Sequence, residues 1–141
     1  MFNHILVGTD GSGTAAAAVK RAVDMAKSAN GRLTVMSAYP AAKASAPPFT
    51  SLDVAPGIEV ATGLLDDVEK RYGDEVQLKT VAREGAPGDV LLEIAEDEDV
   101  DVIVVGNRGM TGAKRFVLGS VPNTISHHAP CNVLIVHTTD E

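Results

Sequence analysis

Gly106-Asn107-Arg108-Gly109, followed after nine further residues by Gly119-Ser120, are the residues whose types and spacing could hold an anion. They follow the apolar run Val102–Val105 and precede a segment of helical spacing. Glycine lacks a Cβ and tolerates positive φ, so backbone N–H groups can approach a ligand closely. A helix start adds unpaired N–H groups and partial positive charge, which suits a phosphate. A second junction lies near the beginning of the chain, where Gly8-Thr9-Asp10-Gly11-Ser12 closes the apolar run Ile5–Val7 and leads into another helical pattern. Two such junctions in one small chain point to a nucleotide.

Both junctions need a rigid sheet behind them. Strands are expected over His4–Val7, Leu33–Ala38, Val76–Ala82, Val102–Val105 and Asn132–His137. Val19, Ala22, Val23 and Ala26 recur at helical spacing as one apolar stripe. Asn30-Gly31 closes that helix, with Gly expected at the left-handed position. Ala61, Leu64, Leu65 and Val68 form a second stripe, ending near Tyr72-Gly73. Gly85-Ala86-Pro87 stops the third strand and places Pro87 in the first turn of a helix that buries Leu91, Ile94 and Ala95. Val117, Val121 and Ile125 mark a fourth helix that begins near Ser120, with Pro122 in its first turn. Residues 40–57, between Tyr39 and the second stripe, are rich in Ala, Pro and Ser and read as a mobile loop. Glu96–Asp101 reads as a solvated acidic turn.

Strict strand–helix alternation predicts an α/β fold. The expectation is a doubly wound, five-stranded parallel sheet of order 3-2-1-4-5 with four helices, Rossmann-like, as a single domain over residues 1–141. In that order the first and fourth strands are neighbours where the winding reverses, and ligands bind outside the carboxyl ends of such strands. The two glycine junctions therefore converge on one crevice.

Composition narrows the partners. A chain of 141 residues can bury about 68–70% of its unfolded surface without disulfides. The net charge of −7, three Phe, two Tyr and no Trp argue against a nucleic-acid surface. A single cysteine, Cys131, excludes an intrachain disulfide and multi-cysteine metal sites. No apolar run approaches the ~20 residues of a membrane span. The opening Met-Phe-Asn-His runs straight into a strand pattern without a signal peptide, so a cytoplasmic location is expected.

The pattern Gly106-x2-Gly109-x9-Gly119-Ser120 resembles the nucleotide-binding pattern of the universal stress protein family. Ile5-Leu-Val-Gly-Thr-Asp10-Gly-Ser12 is similar to that family's opening strand and loop. Glu84-Gly85-Ala-Pro87 with Ile94-Ala95, Asp101–Gly106 and Pro130–Val136 resemble its later elements, so the resemblance covers nearly the whole chain. It implies that Asp10 hydrogen-bonds a ribose and that Thr9 and the Ala38 backbone flank an adenine. It implies that Gly106, Arg108, Gly109, Gly119, Ser120 and Val121 cradle phosphates. Arg108 would add charge-assisted contacts. It also implies a homodimer paired antiparallel through Asn132–His137, an apolar edge that a monomer would leave exposed.

The expected ligand is an adenine nucleotide, with ATP ahead of AMP or cyclic AMP, and Mg2+ accompanying a polyphosphate. There is no Walker lysine, and the dinucleotide spacing begun by Gly11-Ser-Gly13 fails at Ala16. For Asp10 the bland alternative is a turn or capping carboxylate, and for the glycines it is tight helix–sheet packing. Lys114 and Arg115 read as solvated charges, as do Asp66 and Asp67. The adjacent His127 and His128 point about 100° apart on a helix and read as surface side chains. Cys131 reads as a small buried apolar residue. No base or nucleophile is placed by spacing, so turnover is expected to be slow or absent. The expected role is to couple nucleotide level to stress or growth signalling through an unidentified partner protein. A slow ATPase, or an interaction protein with a vestigial pocket, are the alternatives.

Overall fold

Ile5-Leu6-Val7 and Val102-Ile103-Val104-Val105 contain no polar side chain, so strands built from them must be covered on both faces. The computed structural model, which describes residues 2–40, 57–107 and 120–138, places them at the centre of a sheet. Its elements are β1 (His4–Gly8), α1 (Gly13–Ala29), β2 (Arg32–Tyr39), α2 (Gly57–Tyr72), β3 (Gln77–Glu84), α3 (Pro87–Asp97), β4 (Val102–Gly106), α4 (Ser120–His128) and β5 (Asn132–Val136). All pairings are parallel, and the order is β3-β2-β1-β4-β5. This is the doubly wound, Rossmann-like α/β fold expected from the alternation.

The period of two along each strand divides the core into halves. Ile5, Val7, Leu33, Val35, Val102 and Val104 face the stripe Ala18, Val19, Ala22, Val23 and Ala26 of α1, together with Leu65 of α2. Leu6, Met36, Ile103 and Val105 face Val90, Leu91, Ile94 and Ala95 of α3, with Val121 and Ile125 of α4. The winding runs outward from β1 to β3 with helices on the first face. It then jumps back across to β4 and β5 with helices on the second. Changing face as the direction reverses keeps every crossover right-handed.

Four expectations need correction. The left-handed residue closing α1 is Asn30, at φ 56 and ψ 40, and not Gly31. Gly31 is needed for space, since a Cβ there would sit 2.6 Å from the Phe2 carbonyl oxygen and 2.9 Å from that of Asn3. Gly57, read as the last residue of the loop, opens α2, while residues 41–56 lie outside the described residues. The acidic turn is more than solvated charge. Asp101 Oδ2 accepts the N–H groups of Asn3 and His4, both at 2.8 Å, tying the start of β4 to the start of β1. The strand ends also differ by a residue or two: β3 runs from Gln77 to Glu84, and β5 ends at Val136.

Above that tie, His4 is 3% exposed. Its Nε2 hydrogen-bonds Thr34 Oγ1 at 2.8 Å, and its Nδ1 lies 3.2 Å from both the Glu98 carbonyl oxygen and Arg32 Nη2. Burial, and then the Arg32 guanidinium, hold its pKa below the ordinary 6.5 against the opposing pull of Glu98 and Asp101. The unfolded chain therefore takes up this proton first. Stability from neutral His4 is present above about pH 6.5 and is lost as pH falls from there through the lower folded-state value. Urea unfolding of wild type and His4→Gln at pH 8 and pH 5.5 checks this. Wild type should lose more stability between the two conditions than the variant, and equal losses would contradict the assignment.

Candidate functional site

The site is built where the winding reverses. Val7 pairs with Val104, and continuing that register sets Thr9 level with Gly106. On the other side Gly8 pairs with Met36, which sets Thr9 beside Ser37 and Asp10 beside Ala38. Thr9, Asp10, Ala38 and Gly106 are thus brought together at the carboxyl edge of three adjacent strands. Arg108, Gly109 and Gly119 lie outside the described residues, as do Lys114 and Arg115. Ser120 opens α4 beyond them. Val121 follows it with its side chain in the α3–α4 core, which leaves only its backbone for the crevice side.

The loop from β1 to α1 is fixed by its own short side chains. Thr9 Oγ1 accepts the Gly11 N–H at 3.1 Å, and Asp10 Oδ1 accepts the Ser12 N–H at 2.9 Å. Ser12 caps α1 by accepting the Ala15 N–H at 3.1 Å. From beneath, the Ser37 hydroxyl donates to the Thr9 carbonyl at 2.9 Å, and the Thr9 N–H donates to the Met36 carbonyl at 2.9 Å. The turn-carboxylate description of Asp10 therefore holds for Oδ1. Among the described residues Oδ2 makes no hydrogen bond.

Gly106 has a packing role. A Cβ there would overlap the γ-methyl of Thr14 in the first turn of α1, with the Thr14 carbonyl 3.4 Å away. β4 and α1 approach this closely because position 106 has no side chain. Asn107 then fastens the strand exit. Its N–H donates to the Val136 carbonyl at 2.9 Å, and its Oδ1 accepts the Thr138 N–H at 2.9 Å and the Thr138 hydroxyl at 2.8 Å. Sequence reasoning missed Ser37 and Asn107. Ser37 carries no local signal, whereas Asn107 lay inside the glycine pattern as an unassigned position.

Electrostatics set the two helices at the switch point apart. α1 and α4 carry no acid in their first turns, whereas α2 and α3 begin with Glu59 and Asp89. The positive ends that face the crevice are left uncompensated by their own side chains. Beside the loop, a groove of about 410 Å³ opens between α1 and α2, lined by Thr9, Gly11, Leu64, Val68 and Tyr72, with Asp67 and Arg71 at its side. Cys131 is half-buried, and burial pushes its thiol pKa up, which suits a packed side chain over a nucleophile. His127 and His128 are exposed at the end of α4, as expected. Asp66 and Asp67 are exposed on α2.

The model of the universal stress protein family matches residues 1–137. The chain belongs to that family. Universal stress protein Rv1636 of Mycobacterium tuberculosis is 33% identical over 146 residues, a match covering 98% of each chain. Universal stress protein UspA from Lactobacillus plantarum superposes with a TM-score of 0.83 at 26% identity, over 96% of this chain and 97% of that one. A universal stress protein solved in complex with cyclic AMP superposes with a TM-score of 0.76 at 31% identity, over 98% of both.

The packing role of Gly106 is open to test in this universal stress protein. Gly106→Ala should lower stability by about 1–3 kcal/mol through overpacking against Thr14. Adding Thr14→Ser, which removes the offending methyl, should restore most of the loss in urea unfolding. A Gly106→Ala chain as stable as wild type would show that the strand and helix have room to part.

Proposed function

We propose that this universal stress protein binds an adenine nucleotide in the crevice between the ends of β1 and β4. The observation that carries this reading is the meeting of Asp10 with Gly106-Asn107 at the reversal of the winding, beneath two helix starts free of acid. Asp10 takes the ribose through Oδ2. Thr9 and the Ala38 backbone flank the base, while Gly106, Arg108, Gly109, Gly119, Ser120 and Val121 surround the phosphates. ATP is the primary ligand, because Arg108 adds a cation to the loop. Cyclic AMP is the second reading, favoured by the solved relative that holds it at 31% identity.

Turnover is slow or absent. Of Thr9–Ser12 and Gly106-Asn107, only Asp10 carries a carboxylate, and it is tied into the turn by Oδ1. Among the described residues no three His, Cys, Asp or Glu side chains converge, so Mg2+ arriving with a polyphosphate would be held chiefly by phosphate oxygens and water. The protein acts as a holder whose loaded state signals nucleotide level. No helix among the described residues is long and apolar enough to cross a membrane.

Isothermal calorimetry with ATP, AMP and cyclic AMP decides the reading. At least one should bind with sub-millimolar affinity, and Asp10→Ala should weaken it about tenfold or more, as for loss of a hydrogen bond to a charged group. Silence from all three would sink the idea. Cyclic AMP binding more tightly than ATP would select the second reading.

We further propose a homodimer through β5, the edge of the sheet, where Ile135 is 37% exposed. Light scattering at micromolar concentration should give twice the chain mass, and Ile135→Lys should shift it toward the monomer. A wild-type monomer at that concentration would contradict the assignment.

A further inference from the structure

Thr138 follows the end of β5 by two residues and lies one residue beyond the stretch matched by the family model. It nevertheless makes two hydrogen bonds to the residue that follows Gly106 in the crevice. A backbone N–H can only donate, so the carboxamide oxygen of Asn107 faces Thr138 and its NH2 points elsewhere. That oxygen receives both the Thr138 N–H and the Thr138 hydroxyl. The bond from the Asn107 N–H to the Val136 carbonyl already extends the β4–β5 ladder one step past the Gly106–Val136 pair. The side-chain bonds are additional, and they hold residue 107 itself.

We infer that Thr138 is a positioning residue of the nucleotide site, acting through Asn107 to hold the Gly106-Asn107 backbone in its binding geometry before the ligand arrives. This rests on the proposed nucleotide reading. A backbone fixed in advance does not have to be ordered when the ligand binds. Freed from Thr138, the exit of β4 retains only its ladder bond, and ordering it becomes a cost of binding. Thr138 touches no ligand in this arrangement. Its effect is carried by the two bonds to Asn107.

The test is calorimetry of the full chain with ATP and cyclic AMP, alongside urea unfolding, on wild type, Thr138→Val, Thr138→Ser and Asn107→Ala. Thr138→Val keeps the N–H and loses the hydroxyl. It should weaken whichever nucleotide wild type binds by about threefold to tenfold, as for one lost neutral hydrogen bond. Thr138→Ser should stay within about twofold of wild type, because it keeps the donor. Asn107→Ala should weaken binding further, and adding Thr138→Val to it should change nothing more, since the hydroxyl then has no partner. A lowered unfolding midpoint with unchanged affinity in Thr138→Val would overturn the inference and leave only a structural tie. If Asn107→Ala does not fold, the Val and Ser variants at 138 decide alone. Wild type binding neither nucleotide would instead remove the nucleotide reading itself.

Discussion

The pairing of β1 with β4 sets the geometry of the crevice, and it is short. Three residue pairs, from Ile5–Val102 to Val7–Val104, fix the register. A slip of one residue would turn the α1-facing side chains of a strand toward α3 and α4, so the two-sided core resists it. A second restraint lies at the amino end of the sheet. The Asp101 carboxylate accepts two backbone N–H groups of the chain leading into β1, and the Asp101 N–H donates to the His4 carbonyl at 2.9 Å. Hydrogen bonds to a charged acceptor are stronger than neutral ones. This tie pins the same register that sets Thr9 level with Gly106 at the opposite edge.

The loop from β1 to α1 leaves little of its backbone unpaired. In the loop from β1 to α1, the N–H groups of Thr9, Gly11, Ser12 and Ala15 are all taken, by Met36, Thr9, Asp10 and Ser12. That loop is a framework that presents the spare oxygen of Asp10, and it has few donors left for an anion. In the proposed site, phosphate is therefore received at the junction between β4 and α4. The β1–α1 loop is accordingly the sugar-and-base side of that proposed site and the β4–α4 junction its phosphate side, the division the family resemblance implies.

Local patterns made most of the fold legible. The stripe Val19, Ala22, Val23 and Ala26 is buried as its spacing required, as are Leu91, Ile94, Ala95 and Ile125. The unbroken run of β4 marked it as an inner strand, and the order 3-2-1-4-5 expected from the strand–helix alternation put the glycine junctions side by side. What escaped were bonds between residues far apart in the chain. Asp101 reaches residues 97 and 98 positions earlier, Ser37 reaches back 28 to Thr9, and Thr138 reaches back 31 to Asn107. Such a bond has no period and no neighbour in sequence, so an acidic turn and an isolated serine look solvated until the strands are placed. The closure of α1 failed for a different reason. Asn and Gly both tolerate the left-handed region, and the choice between them was made by the crowding of Phe2 and Asn3 against position 31.

The proposed division into a framework side and a phosphate side also bears on how many phosphates the crevice would take. A single helix start supplies a few N–H donors and about half a positive charge, which matches one phosphate group. Holding three would call on cations beyond the helix, and inside the glycine pattern these are Arg108, Lys114 and Arg115. A polyphosphate reading thus stands on these cations, Arg108 first among them as proposed, and on Mg2+ brought by the ligand, whereas a cyclic monophosphate in the proposed site would need only the β4–α4 junction and the Asp10 carboxylate. Because the framework side serves base and sugar equally in both cases, discrimination must come from the phosphate side. Removing the Arg108 charge should therefore weaken ATP far more than cyclic AMP, and it is this difference in response that assigns the ligand.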